Sequence, residues 1–227
     1  MRYTPKQFED GIVMLVDKPL GWTSFDVIRK LRPLIGIRKI GHAGTLDPLA
    51  TGLLIVCTGK FTKRINQYMA QQKEYTGTIT LGATTPTYDL ESEPANFKDT
   101  NLITLEKVQS ILPQFTGLIE QIPPAHSAIK IDGKRVYELA RKGKEVKLEP
   151  RTVQIYSFEI LAFRDAQLQF RVVCSTGTYI RSLANDLGRA LGCGGYLSAL
   201  RRTRIGEFEV TAAQTMESLV TLYSSKS

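Results

Sequence analysis

Cysteine and histidine are scarce in this sequence of 227 residues, which contains three cysteines and two histidines. Cys57, Cys174 and Cys193 are widely spaced and form no CxxC pair. With only His42 and His126 to add, the set is poorly suited to a four-ligand zinc site, and an odd number of dispersed cysteines argues against a disulfide framework. We therefore expect no metal site, and the cysteine usage is typical of a protein in a reducing compartment.

Long apolar runs are also absent. The first eleven residues are polar and lack the apolar centre of a signal peptide. No run approaches the roughly 20 apolar residues that a membrane span requires, and there is neither an internal repeat nor a low-complexity tract. We expect a protein of the cytoplasm that does not bind membranes. Its length allows one generous domain or two small ones.

Positive charge is abundant. Thirty Lys and Arg residues face twenty-two Asp and Glu, which leaves a formal net charge of +8 and a sequence pI near 9.4. A polyanionic partner would explain this balance, because neutralising phosphates releases counterions. Simple solubility is the alternative, and charge alone does not decide between the two.

Apolar residues alternate with polar ones in some segments and follow helical spacing in others. Strands are expected at residues 12–16, 53–57, 75–81, 153–163 and 167–174, the last two joined by a turn at Arg164-Asp165. Helices are expected after Ser24 and after Thr178, each as N-cap, at residues 105–112 and after Arg135. Residues 36–52 and 82–101 read as long loops. Because the elements mix without a strict βαβ rhythm, we predict an α+β fold with a mixed, largely antiparallel central sheet.

The segment Gly41 to Gly52 carries the most distinctive chemistry. Its glycines allow close approach of a ligand to the backbone, and Pro48 biases Asp47 towards an extended conformation. A fixed carboxylate five residues after His42 suits a nucleophile or a general base. The plain structural alternative is an aspartate that only caps a turn.

Arginines recur later in the chain. One basic cluster lies between residues 134 and 151, and Arg201, Arg202 and Arg204 form another. Such clusters are solvated faces or, with stacking aromatics such as Tyr179, surfaces that grip an RNA backbone. Arg181, near the start of a predicted helix, could hold a carboxylate ionised or form an ordinary surface salt bridge.

Several motifs occur together in one order along the chain. They are Val16-Asp17-Lys18-Pro19 with Gly21-Trp22-Thr23-Ser24, the Gly41 to Gly52 segment, Lys73-Glu74-Tyr75, Pro123-Pro124 with Ser127 to Lys130, Gly133 to Arg141, Gly177 to Leu183 and Leu200-Arg201-Arg202. This set, over roughly residues 11 to 206, resembles the TruB-type bacterial tRNA pseudouridine-55 synthases.

The resemblance implies a pseudouridine synthase fold and the isomerisation of uridine 55 in the T-arm of tRNA, without metal or organic cofactor. It implies Asp47 as the catalytic aspartate, Tyr75 stacked on the target base, Arg181 paired with Asp47, and a pocket lined by His42, Tyr179 and Leu200. Asp89 matches a further family acid and is a candidate for contacting or flipping the RNA.

Many relatives carry an additional C-terminal RNA-binding domain. Here we expect one catalytic domain at residues 1–210, a short tail at residues 211–227, and a monomer. Two alternative functions stay open at this point. One is a tRNA-binding folding helper, and the other is a related synthase that modifies another RNA.

Overall fold

The computed structural model describes residues 2–124, 130–131, 134–135 and 148–224. The chain divides into two compact units, the first made of Met1–Thr76 with Leu200–Ser227 and the second of Gly77–Ala199. The first unit is therefore built from two segments that are distant in sequence. In the described ranges, no helix is long and apolar enough to cross a membrane.

The regular elements of the described residues are numbered here in chain order. The strands are β1 (Val13–Lys18), β2 (Ile40–Ala43), β3 (Ala50–Thr58), β4 (Lys73–Leu81), β5 (Gly117–Gln121), β6 (Lys130–Ile131), β7 (Lys134–Arg135), β8 (Arg151–Arg164), β9 (Gln167–Cys174), β10 (Gly195–Ile205), β11 (Phe208–Glu209) and β12 (Gln214–Thr215). The α-helices are α1 (Pro5–Asp10), α2 (Ser24–Leu34), α3 (Ile65–Ala70), α4 (Leu105–Ile111), α5 (Ile180–Ala190) and α6 (Met216–Ser224). Short 3₁₀ helices lie at Gly59–Arg64, Leu112–Phe115 and Val210–Ala212.

In the first unit, β3 is the central strand. It pairs antiparallel with β1 and with β2, and parallel with β10, where Leu200 is opposite Ala50 and Arg202 is opposite Gly52. Two parallel residue pairs add β12 to the other edge of β1. Because both faces of β3 are covered, its residues from Leu53 to Cys57 are fully buried, as a continuous apolar run requires.

Two apolar clusters fill the faces of that sheet. Val27, Ile28 and Leu31 of α2 pack with Leu54 and Val56 on one face. On the opposite face, a second cluster contains Ala43, Leu53, Ile55, Cys57 and Ile205. The alternation of β3 side chains between the two clusters follows from the two-residue period of a strand.

The second unit is built around β4, β9, β8 and β5, hydrogen-bonded in that order. Strands β8 and β9 form a long antiparallel hairpin, and β5 pairs antiparallel with the far edge of β8. The hairpin turns at Asp165 and Ala166, whose φ angles of 50° and 59° are those of the tight turns that suit twisted strands. Phe158 and Phe170 meet edge to face across this pair, with ring centroids 5.8 Å apart.

These strands confirm the predicted fold class, because most of the described strand pairs are antiparallel. The pairs β1–β12 and β3–β10 are parallel, as is an isolated bridge between Asp89 and Leu197. The strands predicted at residues 12–16, 53–57 and 75–81 correspond to β1, β3 and β4. The helix predicted after Arg135 lies outside the described residues.

The predicted loop at residues 36–52 is shorter than expected. Ile40–Ala43 forms β2, and β3 already begins at Ala50, so irregular backbone is limited to residues 35–39 and 44–49. Gly41 in β2 and Gly52 in β3 lower the strand propensity of these segments, so the sequence pattern did not predict strands there. Pairing with the buried β3 stabilises β2 despite that weak propensity.

Both predicted helix caps were wrong. Thr23, not Ser24, is the N-cap of α2, with its side-chain oxygen accepting from Asp26 N at 3.0 Å and the Asp26 carboxylate accepting from Thr23 N at 2.9 Å. Helix α5 has Tyr179 as N-cap, and Thr178 Oγ1 donates to the carbonyl of Ser175 at 2.9 Å. A complete capping box outweighs a lone hydroxyl one residue later.

Candidate active site

Asp47 lies between β2 and β3, in a segment that we call the Asp47 loop (residues 44–49). The loop leaves β2 at Gly44, whose φ of 90° lies in the region that favours glycine. It returns to β3 through a turn in which Ala50 N donates to the Asp47 carbonyl at 3.0 Å. Pro48 occupies the second position of that turn, where its fixed φ fits. Asp47 itself is half-buried.

The hydroxyl of Ser24 anchors the middle of the loop. Leu46 N donates to Ser24 Oγ at 2.8 Å, and Ser24 Oγ donates to Leu46 O at 3.3 Å. Ser24 is 2% exposed and Leu46 is 3% exposed. Because a buried main-chain group without a partner is costly, these two bonds hold the loop against the first turn of α2.

A second anchor lies directly after Asp47. The Pro48 carbonyl accepts from Gly21 N at 2.9 Å and from the Lys18 ammonium at 3.3 Å. Lys18 also donates to the carbonyls of Pro19 and Trp22, and its side chain is fully buried. The main chain on both sides of Asp47 is therefore tied to the segment after β1.

Lys18 and Asp47 interact electrostatically. Burial lowers the pKa of Lys18 from 10.5 to about 8, and the negative charge of Asp47 opposes that shift. At neutral pH the lysine therefore stays charged. A fixed cation beside the loop favours the ionised form of a neighbouring carboxylate.

His42 lies on β2 opposite Val56. Burial lowers the pKa of His42 below its ordinary value, the positive charge of Arg202 adds to the shift, and a hydrogen bond with the Gly44 backbone opposes it. Its imidazole is therefore neutral at neutral pH. The ring is half-buried, so it contributes a neutral polar group rather than a charge.

Tyr75 and Leu200 lie on neighbouring parts of the first unit. Tyr75 is on β4 and 9% exposed. The adjacent Glu74 carboxylate accepts from Thr203 Oγ1 at 2.7 Å and pairs with Arg204 at 3.5 Å, which fixes this end of β4 to β10. Leu200 is opposite Ala50, the residue at which β3 begins, so it lies next to the end of the Asp47 loop.

The second unit contains the other predicted residues. Arg181, on the first turn of α5, is 4% exposed and pairs with Asp89 at 3.6 Å. It also donates to Thr87 O at 3.3 Å. Asp89 is itself 4% exposed, so Asp89 and Arg181 form a buried ion pair.

Tyr179 is held through its main chain. Its N–H donates to Gln121 Oε1 at 2.7 Å, and its carbonyl accepts from Gln121 Nε2 at 3.0 Å. Gln121 is 2% exposed at the end of β5. This two-bond contact fixes the start of α5, and with it the backbone that carries Arg181.

The arginines after Leu200 correct the prediction of an exposed basic cluster. Arg202 is 1% exposed, Arg201 makes a forked pair with Asp17 at 3.0 and 2.7 Å, and Arg204 pairs with Glu74. Their partners lie on other strands or in the Asp47 loop, and a local pattern of charge does not reveal them. The predicted cluster between residues 134 and 151 falls largely outside the described residues.

The structure thus groups Asp47, His42, Tyr75 and Leu200 in the first unit, and Arg181, Asp89 and Tyr179 in the second. The expected contact between Asp47 and Arg181 stays a prediction. Sequence reasoning missed Ser24 as a loop anchor, Gln121, and the buried cations Lys18 and Arg202. Of these, Lys18, Ser24 and Arg202 belong to the family motifs in the sequence, and that membership could have indicated a role in the site.

Comparisons with known proteins match this chain to one family. Residues 32–180 match the N-terminal domain of the TruB family pseudouridylate synthases, and residues 181–227 match the tRNA pseudouridylate synthase B C-terminal domain. The tRNA pseudouridine synthase B of Flavobacterium johnsoniae is 51% identical over 217 residues, which cover 92% of this chain and 95% of that protein. The Bacteroides fragilis protein of the same name is 52% identical over 209 residues, covering 89% and 90%.

Solved structures show the same fold. A Cbf5-Nop10-Gar1 complex contains a chain with a TM-score of 0.74 and 31% identity, which covers 97% of this chain and 58% of that one. An H/ACA RNP bound to a substrate RNA containing 2′-deoxyuridine contains another, with a TM-score of 0.72 and 28% identity, covering 97% and 55%. This chain thus spans little more than half of those chains.

The chain therefore belongs to the TruB family of pseudouridine synthases. By that membership it is an isomerase that forms pseudouridine in RNA.

Proposed function

We propose that this chain isomerises uridine to pseudouridine at position 55 in the T-arm of tRNA, with Asp47 as the reactive carboxylate. The observation that carries the proposal is the anchoring of the Asp47 loop at Leu46 and Pro48, on either side of Asp47. Relatives that are about half identical and bear the name tRNA pseudouridine synthase B support the choice of RNA.

The reaction exchanges the bond by which the base is attached to the sugar. The bond from uracil N1 to ribose C1′ breaks, and a bond from C5 to C1′ forms. C5 loses its proton and N1 gains one, so no net atoms are consumed. Asp47 can attack C1′, attack C6 of the base, or remove a ribose proton, and all three routes require an ionised carboxylate at a fixed position.

The first unit supplies that carboxylate with a suitable setting. Lys18 provides a buried positive charge that interacts with Asp47, and two anchors fix the loop backbone. A target base must leave its stack to reach the site, at a cost of a few kcal/mol. Tyr75 would offer a flat face to the detached ring, with Leu200 as an apolar wall and neutral His42 as a brace or a hydrogen-bonding surface.

The family resemblance assigns Arg181 as the partner of Asp47 and Tyr179 as a residue of the substrate pocket. Asp89 would hold the Arg181 guanidinium in place, since the two form a buried ion pair at 3.6 Å. Any RNA-contacting role of Asp89 would require it to leave this pair. By the family resemblance, the enzyme works as a monomer in the cytoplasm and needs neither metal nor cofactor.

The test is Asp47→Asn, assayed with a T-arm transcript that carries tritium at C5 of uridine. Release of tritium reports the loss of the C5 proton. We expect turnover to be abolished while RNA affinity, measured by filter binding, changes by less than about threefold, because the amide keeps the shape but cannot ionise. Asp10→Asn, at an exposed aspartate of α1, is the matched control and should be fully active. Turnover retained in Asp47→Asn would remove Asp47 from this role.

The site of modification needs its own experiment. Uridines modified in wild-type cells and unmodified in cells lacking the protein should map to position 55 of tRNA. Loss of pseudouridine from another RNA instead would identify a related synthase with a different substrate.

A further inference from the structure

Arg202 is a buried cation whose hydrogen bonds go to main-chain carbonyls. Its side chain on β10 is 1% exposed, Nε donates to Leu53 O at 2.7 Å, and Nη2 donates to Gly44 O at 3.1 Å. Charged donors to carbonyl oxygens form strong hydrogen bonds. Arg202 therefore binds the main chain at two defined points.

Those two points lie on either side of Asp47. Gly44 is the first residue of the Asp47 loop, and Leu53 lies in β3, to which the loop leads. One planar guanidinium thus ties the start of the loop to the strand that follows it. With the Lys18 contact to Pro48 O, the loop is held between two buried cations.

The backbone around Arg202 is built for this close approach. Arg202 is opposite Gly52 in the parallel pairing of β10 and β3. Gly52 has a φ of 101°, and a Cβ there would lie 2.3 Å from the Arg202 carbonyl. Because Gly52 has no side chain, β10 lies close enough to β3 for the guanidinium to reach Leu53 O and Gly44 O.

Folding stability alone does not require an arginine at this position. Burying a charged group costs several kcal/mol, and replacing buried ionic groups by apolar residues of similar size is often neutral or stabilising. What the guanidinium adds, and an apolar side chain cannot provide, is a hydrogen bond to Gly44 O in the loop and another to Leu53 O in β3. This points to the loop as the reason for the buried charge.

We propose that Arg202 is a positioning residue for pseudouridine formation, which fixes the Asp47 loop so that the carboxylate meets the target nucleotide in a single geometry. The inference rests on the proposed role of Asp47. A displacement of about 1 Å in a reacting group can reduce a rate about 100-fold. Loss of the anchor should therefore slow the chemical step and leave RNA binding largely intact.

Two substitutions separate positioning from stability. Arg202→Lys keeps the buried charge but loses the fixed fork that reaches both carbonyls, whereas Arg202→Met loses charge and donors together. We expect the single-turnover rate on pre-bound T-arm RNA to fall about 100-fold in the lysine variant and further in the methionine variant. RNA affinity should stay within about threefold of wild type in both.

A merely structural role would make the rate follow folding stability. We expect the unfolding temperature and the reaction rate to rank the two variants in opposite order. Arg202→Met should unfold at a temperature equal to or above that of Arg202→Lys and yet react more slowly. Arg201→Lys, at the neighbouring residue of β10, is the matched control, because an ammonium can still pair with Asp17, and its rate should change by less than about threefold. If the methionine variant does not fold, the lysine variant alone carries the comparison with Arg201→Lys.

Single-turnover rates within about threefold of wild type in folded Arg202→Lys would overturn the inference. The same holds if its defect is confined to RNA affinity. Failure of the proposed function is separate, since it would appear as turnover retained in Asp47→Asn or as no pseudouridine formed by the wild-type enzyme.

Discussion

The Lys18 ammonium donates to the carbonyl oxygen of Pro48 at 3.3 Å, so a fully buried cation holds the residue directly after Asp47. This contact crosses from the end of β1 to the Asp47 loop. It combines a main-chain anchor with a positive charge that interacts with the Asp47 carboxylate.

The buried charge of Lys18 should make the free energy of unfolding depend on pH. Burial lowers the pKa of Lys18 from 10.5 to about 8, so between these values the unfolded chain binds more protons than the folded one. The contribution of Lys18 to the free energy of unfolding therefore rises with pH across this window, by about 3 kcal/mol in total. This gain in stability is lost again as the pH falls through 8. Denaturant unfolding from pH 7.5 to about pH 11 measures it.

Lys18→Met is the control for that measurement, because subtracting its unfolding curve removes the titration of all other groups. A Lys18 amine that titrates near 10.5 in competitive labelling would contradict the prediction.

The hydroxyls of Ser24 and Thr23 should have different effects although they are adjacent. Ser24→Ala removes the partner of Leu46 N, and we expect about a tenfold loss of turnover with about 1 kcal/mol of stability. Thr23→Ala removes the N-cap of α2 and should cost about 1 kcal/mol of stability with little change in turnover. Equal activities in the two variants would show that the Ser24 contact does not position the loop.

Gly44→Ala should reduce activity more than its effect on folding explains. The φ of 90° is unfavourable for alanine, although the new Cβ would make only an ordinary contact with Arg202 Nη1 at 3.6 Å. Relief of that backbone strain would shift the loop where Arg202 holds it. Gly36→Ala is the matched control, with a φ of 68° and nothing within 4 Å of its Cβ. Both variants should lose about 1–2 kcal/mol of stability. Only Gly44→Ala should lose most of its turnover, as measured by tritium release.

Arg181→Lys should lose most of the activity. A lysine cannot reproduce the planar fork, and Arg181 is buried beside Asp89 and Thr87 O. We expect a fall in single-turnover rate of at least about 100-fold. Arg171→Lys, at a half-exposed arginine that pairs with Glu159 at 3.7 Å, should react normally. A lysine variant with near-normal rates would mean that the guanidinium geometry is not required.

Local patterns predicted much of the fold. The apolar run of β3 and the alternation along β9 were confirmed as strands, and their hairpin partner β8 followed from the turn at Asp165. These features depend on neighbours within a few residues. The irregular segment at residues 82–101 also has neither helix nor extended strand.

The anchors of the site could not be predicted in this way. Lys18 contacts a carbonyl 30 residues later, and Arg202 contacts one 158 residues earlier. A backbone carbonyl has no side-chain identity, so such a partner leaves no mark in the sequence. Arg202 appeared to belong to an exposed basic cluster because Arg201 and Arg204 lie beside it in the sequence. Those two arginines form ion pairs nearer the surface.

The first unit is made of two segments separated by the whole of the second. On the ribosome, Gly44 and Asp47 are therefore synthesised long before β10, and loop closure over 158 residues must precede the Arg202 contact. Contacts of such long sequence separation form late and slowly. A nascent chain that already exposes its carboxylate would still lack an ordered reaction centre, so competence to modify RNA would arise only after β10 has been made.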